Sequence, residues 1–204
     1  MDYNKKYLGL SDRKSYVIRN FISDASCAVK YQKRQGFVYF GRIIESKKVS
    51  LCVKAMNASN SNCCLIGFGS NTRYELDIKA NMQHNVVHFD RLSSNKMAEV
   101  VCKFRYYLTC SLLEGDPKGV LEGIGFGLVP VVSTTVAIII GIQHWKNGFV
   151  FDSEEELLGL IPVLDSLSDF EFNSIISNSQ KLLDDRSLDK ISCQYIDLLK
   201  EFKC

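Results

Sequence analysis

The sequence predicts an α/β fold: a doubly wound, mostly parallel six-stranded sheet with helices on both faces and a helical C-terminal tail. Three observations predict it. Short runs such as "FVYFG", "NCCLIGFGS" and "RYYLTCS" are apolar almost throughout, and a strand without polar alternation is one buried on both faces. Segments with helical spacing alternate with these runs, which is the order that builds a parallel sheet. After Phe151 the strand signals stop and helix signals take over.

The elements follow in order. Up to about Gln35 the chain is polar with scattered apolar residues, and only "SYVIRNFI" has β character. Residues 1–35 are expected to be a linker-like segment packed on a domain spanning 36–204. "FVYFG" is the first strand. In "ESKKVSLCVKAMNAS", Val49, Cys52, Val53 and Met56 fall at helical spacing. "NCCLIGFGS" is a strand ending in Gly67-x-Gly69, "NTRYELDIKANMQ" a short helix and "NVVHF" a third strand. "SSNKMAEVVCKF" is a helix capped by serine. "RYYLTCS", "LVPVVS" and "GFVF" complete the sheet. Between the first two of these lies "EGDPKGVLEGIGFG", a helix with Asp116 as N-cap and Pro117 as first helical residue. Ser153 with Glu156 and Ser168 with Glu171 predict capping boxes. The last helix places Leu188, Ile191, Tyr195 and Leu198–Leu199 on a single apolar face.

Composition narrows the function. A net charge of +2 gives no electrostatic case for nucleic acid. No apolar run reaches membrane-spanning length, and the N-terminus lacks a signal-peptide core. Eight cysteines form no Cys-x-x-Cys pair, and together with three histidines they match no zinc pattern. They are expected to be reduced core residues of a cytoplasmic protein, with no metal site.

In an open parallel sheet, ligands bind beyond the carboxyl ends of the strands. The residues there are Gly41-Arg42, Gly67-x-Gly69, Arg91, Glu114-Gly115 and Thr134. The helix start in "GDPKGV" offers free amides, including that of Gly119, and Arg42 and Lys47 can neutralise an anion held there. The residues therefore predict an anion site of phosphate type.

Over about Gly9 to Gln180 the chain also resembles the C-terminal, donor-binding domain of retaining GT-B glycosyltransferases of glycosyltransferase family 4, also called group 1. The motifs that carry the resemblance are "FVYFGRIIESKKVSLCVKAM", "LIGFGS", "NVVHFDRL", the Glu-x7-Glu of "CSLLEGDPKGVLEGIGFGLVPVVS", and "NGFVF". The resemblance implies that Arg42 and Lys47 bind the donor diphosphate and that Glu114 lies at the donor sugar, these three being the catalytic set. It implies that Glu122 holds the ribose hydroxyls, and that Gly115 and the amides of Gly119, Val120 and Leu121 wrap phosphate and sugar. Arg91 and Leu92 fall near the base, and Gly67, in the strand-ending Gly-x-Gly, is counted with the donor-binding residues. The ligand implied is a UDP-, GDP- or ADP-sugar, with no metal and no other cofactor. The activity implied is sugar transfer to a glycan or lipid-linked acceptor in polysaccharide biosynthesis.

The sequence departs from the family in places. Val136-Ala137 and Ile139-Ile140 replace two glycines and a Pro-Glu, Asp116 stands where an apolar or aromatic residue is usual, and Lys48 replaces a glycine. The chain has no room for the acceptor domain of a whole GT-B enzyme. A separate N-terminal domain or subunit is therefore the expected partner, and through it the inner face of a membrane. The other reading is a non-catalytic remnant or partner subunit that keeps the fold.

Overall fold

The computed structural model describes residues 16, 18–22 and 33–201. The sheet has six strands: β1 (Phe37–Phe40), β2 (Cys63–Ile66), β3 (Val86–Phe89), β4 (Tyr106–Thr109), β5 (Val129–Ser133) and β6 (Phe149–Phe151). Their order is β3-β2-β1-β4-β5-β6, and every pairing is parallel. The connecting helices are α1 (Val49–Asn57), α2 (Arg73–Ala80), α3 (Ser94–Val101), α4 (Lys118–Gly125) and α5 (Thr134–Ile140). The tail is α6 (Glu154–Asp165), α7 (Asp169–Gln180) and α8 (Leu188–Glu201).

The alternation of the strands divides the core in two. Phe37 and Tyr39 point into one cluster with α1, α6 and α7, while Val38 and Phe40 point into the other with α4 and α5. This is the doubly wound arrangement, and all four residues of β1, β2 and β4 are buried. The strand order reverses between β1 and β4, so the loops leaving those two strands part and open a crevice.

Several expectations are corrected. None of the described residues of "SYVIRNFI" is in a strand; the Ile22 N–H donates instead to the Arg186 carbonyl at 3.0 Å. Ser93 occupies the N-cap of α3 but makes no side-chain capping bond. Ser168 and Glu171 form the full capping box, whereas the Glu156 carboxylate accepts from Asp152 N–H rather than from Ser153. On α8 only Ile191 is buried, and Leu188, Tyr195 and Leu199 are exposed. Cys52, Cys63, Cys64 and Cys110 are free and buried as expected, but Cys193 is exposed. Cys102 is disulfide-bonded, contrary to a fully reduced set; Cys27 and Cys204 lie outside the described residues. Among the described residues no helix is long and apolar enough to cross a membrane.

Candidate functional site

Two clefts open at the carboxyl ends of the strands, one over β1 and β4 and the other over β1, β2 and β3. The first, of about 260 Å3, is lined by residues that include Tyr39, Lys47, Thr109, Glu114, Asp116 and Lys118. The second, of about 420 Å3, is lined by residues that include Gly67, Phe68, Asp90, Arg91, Leu92 and Glu122. Phe40, Gly41, Arg42 and Gly119 line both.

The chain reaches this geometry through local constraints. Gly41 N–H donates to the Ile66 carbonyl at 3.0 Å and Ile43 N–H to the Phe68 carbonyl at 3.1 Å, so the β1 and β2 exits run side by side. Gly67 is required there, since a Cβ would lie 1.9 Å from the Gly41 carbonyl oxygen. Leu112 N–H donates to the Ser46 carbonyl at 3.1 Å, which brings the β4 exit onto the short 3-10 turn Glu45–Lys47. Lys47 and Glu114 consequently meet as an ion pair, with side chains 21% and 13% exposed. Lys48, in place of the family's glycine, adopts φ 45° and ψ 46°, the left-handed region that glycine enters without cost.

The α4 start differs from its expected form. Pro117 is the N-cap and Lys118 the first helical residue. Asp116 is not a cap: its carboxylate takes Arg186 Nη1 at 3.0 and 2.9 Å and the Asn20 N–H at 2.7 Å. The Val120 N–H is already bonded to the Pro117 carbonyl at 3.0 Å, and the Val120 and Leu121 side chains are buried in the core. Of the three expected amides, Gly119 is the one that stands at the mouth of both clefts. A Cβ on Gly119 would sit 2.6 Å from the Tyr107 hydroxyl, which donates to the Phe40 carbonyl. The glycine thus lets the helix start approach the end of β1. Gly115 is exposed and a Cβ there would meet nothing within 4 Å, so it lines neither cleft.

Glu114 and Glu122 are placed on opposite sides of Gly119, one in each cleft. Arg42 is exposed beside both. Arg91 lays its guanidinium 3.9 Å above the Phe68 ring. The residues that replace the family's glycines do not fill the clefts. They form α5, where Val136, Ala137 and Ile140 are buried in the core. Sequence reasoning missed Asn20, Arg186 and Glu75. Only Glu75 carried a signal, its (i, i+4) spacing to Lys79.

Burial raises the Glu122 carboxyl above its usual pKa, and Lys118 at 3.7 Å pulls it partly back. With the folded value above the unfolded one, the stability Glu122 contributes is complete at low pH and is lost as pH rises through the folded value. Glu122→Gln should therefore melt no lower than wild type at pH 7, and lose ground to it below about pH 4. Thermal melts at the two pH values check this; a Gln variant that melts lower at pH 7 would show the carboxylate to be stabilising.

The comparisons with known proteins agree with this arrangement. The family profile "Glycosyl transferases group 1" matches residues 34–161, well over half of the chain. The chain belongs to that family. No curated protein matches it. Among solved structures, TarM superposes with TM-score 0.78 at 17% identity, over 96% of this chain and 41% of TarM. The pneumococcal O-GlcNAc transferase GtfA gives TM-score 0.76 at 16% identity, over 98% of this chain and 44% of that one. The C-terminal domain of a group 1 glycosyl transferase (LpcC) from Francisella tularensis gives 0.64 at 16% identity, over 74% of this chain and 85% of that domain. The fold is thus that of a GT-B C-terminal domain. The chain spans less than half the length of TarM and GtfA.

Proposed function

We propose that this group 1 glycosyltransferase chain is the donor-binding half of a retaining enzyme, which moves a sugar from a nucleoside diphosphate sugar to a glycan or lipid-linked acceptor in polysaccharide biosynthesis. One observation carries the reading: the two clefts meet over Arg42 and Gly119, with a carboxylate in each. A donor of this class has a diphosphate flanked by two sets of hydroxyls. The diphosphate lies over Gly119 between Arg42 and Lys47. Glu122 accepts from the ribose diol on one side and Glu114 from the sugar on the other, since an ionised carboxylate is acceptor-only. Donor binding moves the Lys47 ammonium from Glu114 to phosphate and frees Glu114 for the sugar. As the glycosidic bond breaks, the two cations and the helix start stabilise the leaving diphosphate, so that no metal is needed. GtfA, of the same fold, has been solved with UDP and GlcNAc, which supports the donor class. A separate N-terminal domain or subunit supplies the acceptor and brings the enzyme to the inner face of a membrane.

Calorimetry against UDP, GDP and ADP, with and without magnesium, tests the site. At least one should bind without the metal, and heat from none of them would sink the reading. Glu122→Ala should lose more affinity than Lys118→Ala, because an unpaired ribose diol costs about 1–3 kcal/mol. Equal losses would remove Glu122 from the ribose.

A further inference from the structure

Behind the second cleft, and reaching its lining at Asp90, lies a polar cluster built on a carboxylate that lines neither cleft. Glu75, on the first turn of α2, is 1% exposed. Its Oε2 accepts from the N–H groups of Gly69 at 2.9 Å and Asn71 at 2.8 Å. Its Oε1 takes the Lys79 ammonium at 3.0 Å, and the same ammonium reaches Asp90 Oδ1 at 3.0 Å. His88 Nε2 stands 2.9 Å from the Gly67 carbonyl and 3.6 Å from Asp90 Oδ1. These groups join two loops. One leaves β2 and carries Phe68; the other leaves β3 and carries Arg91, whose guanidinium stacks on Phe68.

The β2 loop needs holding. Ser70 and Asn71 both have positive φ, at 60° and 57°, which costs non-glycine residues of order 1 kcal/mol or more each. Glu75 receives the two amides that this turn aims inward. Burial alone would raise its carboxyl pKa, but Lys79 and the Gly69 and Asn71 amides outweigh it and hold the group below its usual value. The position where a metal would sit among Glu75, His88 and Asp90 is next to the Lys79 ammonium, so the cluster is closed by its own cation.

We propose that Glu75 is a positioning residue for nucleoside recognition: through Gly69, Asn71 and the Lys79–Asp90 link it sets the Phe68 and Arg91 wall of the second cleft rather than the helix start at Gly119. The inference rests on the donor-site reading and adds to it a group that touches no ligand. It separates the nucleoside end of the site, shaped by the β2 and β3 loops, from the diphosphate end, shaped by β1, β4 and α4.

The test compares UDP with inorganic pyrophosphate, which occupies only the diphosphate end. In Glu75→Gln the single amide oxygen can take over both backbone N–H groups, but the side-chain NH2 then faces the Lys79 ammonium, donor against donor. UDP affinity should fall about tenfold, or ~1.4 kcal/mol, while pyrophosphate affinity stays within about twofold of wild type on the same scale. Asp90→Asn, at a side chain 70% exposed and so with little bearing on folding, should move UDP affinity in the same direction by a smaller factor and leave pyrophosphate unchanged. Equal loss of both ligands in Glu75→Gln, or loss of neither, would overturn the inference while the donor site stands. A wild-type chain that takes up neither ligand would overturn the donor-site reading and this inference with it.

Discussion

The purified 204-residue chain should transfer no sugar on its own, even where it binds the donor. The two clefts lie at the carboxyl ends of the central strands and open outward, and the chain spans 44% of GtfA and 41% of TarM. On the proposed function, nothing among the described residues places an acceptor hydroxyl against the sugar carbon. Orientation of reactants supplies up to roughly 7–11 kcal/mol of a rate enhancement. An open diphosphate site also leaves its charges in water, where Arg42 and Lys47 stabilise a leaving group weakly. The assay is transfer from labelled nucleotide sugars to soluble and lipid-linked acceptors, with the chain alone and then with an acceptor-binding domain added. Slow hydrolysis of the donor is the most expected from the chain alone. Robust transfer by it would refute the half-enzyme reading, and transfer that appears only with the added domain would support it.

Asp116→Ala should be among the most destabilising single substitutions near the site. The Arg186 side chain is 5% exposed, and its guanidinium has the Asp116 carboxylate as its charged partner. Among the described residues, removing the carboxylate leaves a buried cation with only the Asn20 carbonyl, at 3.4 Å. Breaking such a pair from one side costs about 3–5 kcal/mol, and at this chain length each kcal/mol moves Tm by ~2–4 °C. A drop on the order of 6–12 °C or more should follow. The double variant Asp116→Leu, Arg186→Met removes both charges and should recover most of it, as apolar replacements of buried pairs do. Thermal melts decide: a single variant within about 2 °C of wild type would mean that water reaches Arg186.

What could be read from the sequence, and what could not, follows one physical line. Strands buried on both faces announce themselves locally, as "FVYF" and "CCLI" do, and the alternating order then leaves few topologies open. Gly67 stood at a strand end and Gly119 at a helix start in the sequence, whereas the contacts that exclude a Cβ at each belong to the fold. Asp116 was misread because "GDP" has the form of a cap and first turn, and the residue that claims its carboxylate lies 70 positions away. Glu75 showed only its spacing to Lys79 for a related reason: its value lies in two amides of the preceding loop, and backbone donors leave no trace in a sequence. Which way the Val136–Ile140 run faces was not legible either, since helix rotation decides it and turns Val136, Ala137 and Ile140 inward.

The strand order also governs when the sheet can form. β1 is the first of the described strands to be synthesised, yet it lies at the centre, and its second edge pairs with β4, whose Tyr106 stands opposite Phe37. Until the ribosome has released β4, the β3-β2-β1 half exposes an unpaired central edge of apolar residues, open to wrong partners. The β4-β5-β6 half is contiguous and can assemble as its own hairpinless unit before it docks. Parallel pairing at long sequence separation is slow to nucleate, so the nascent chain is most exposed to misassembly between the completion of β3 and the arrival of β4.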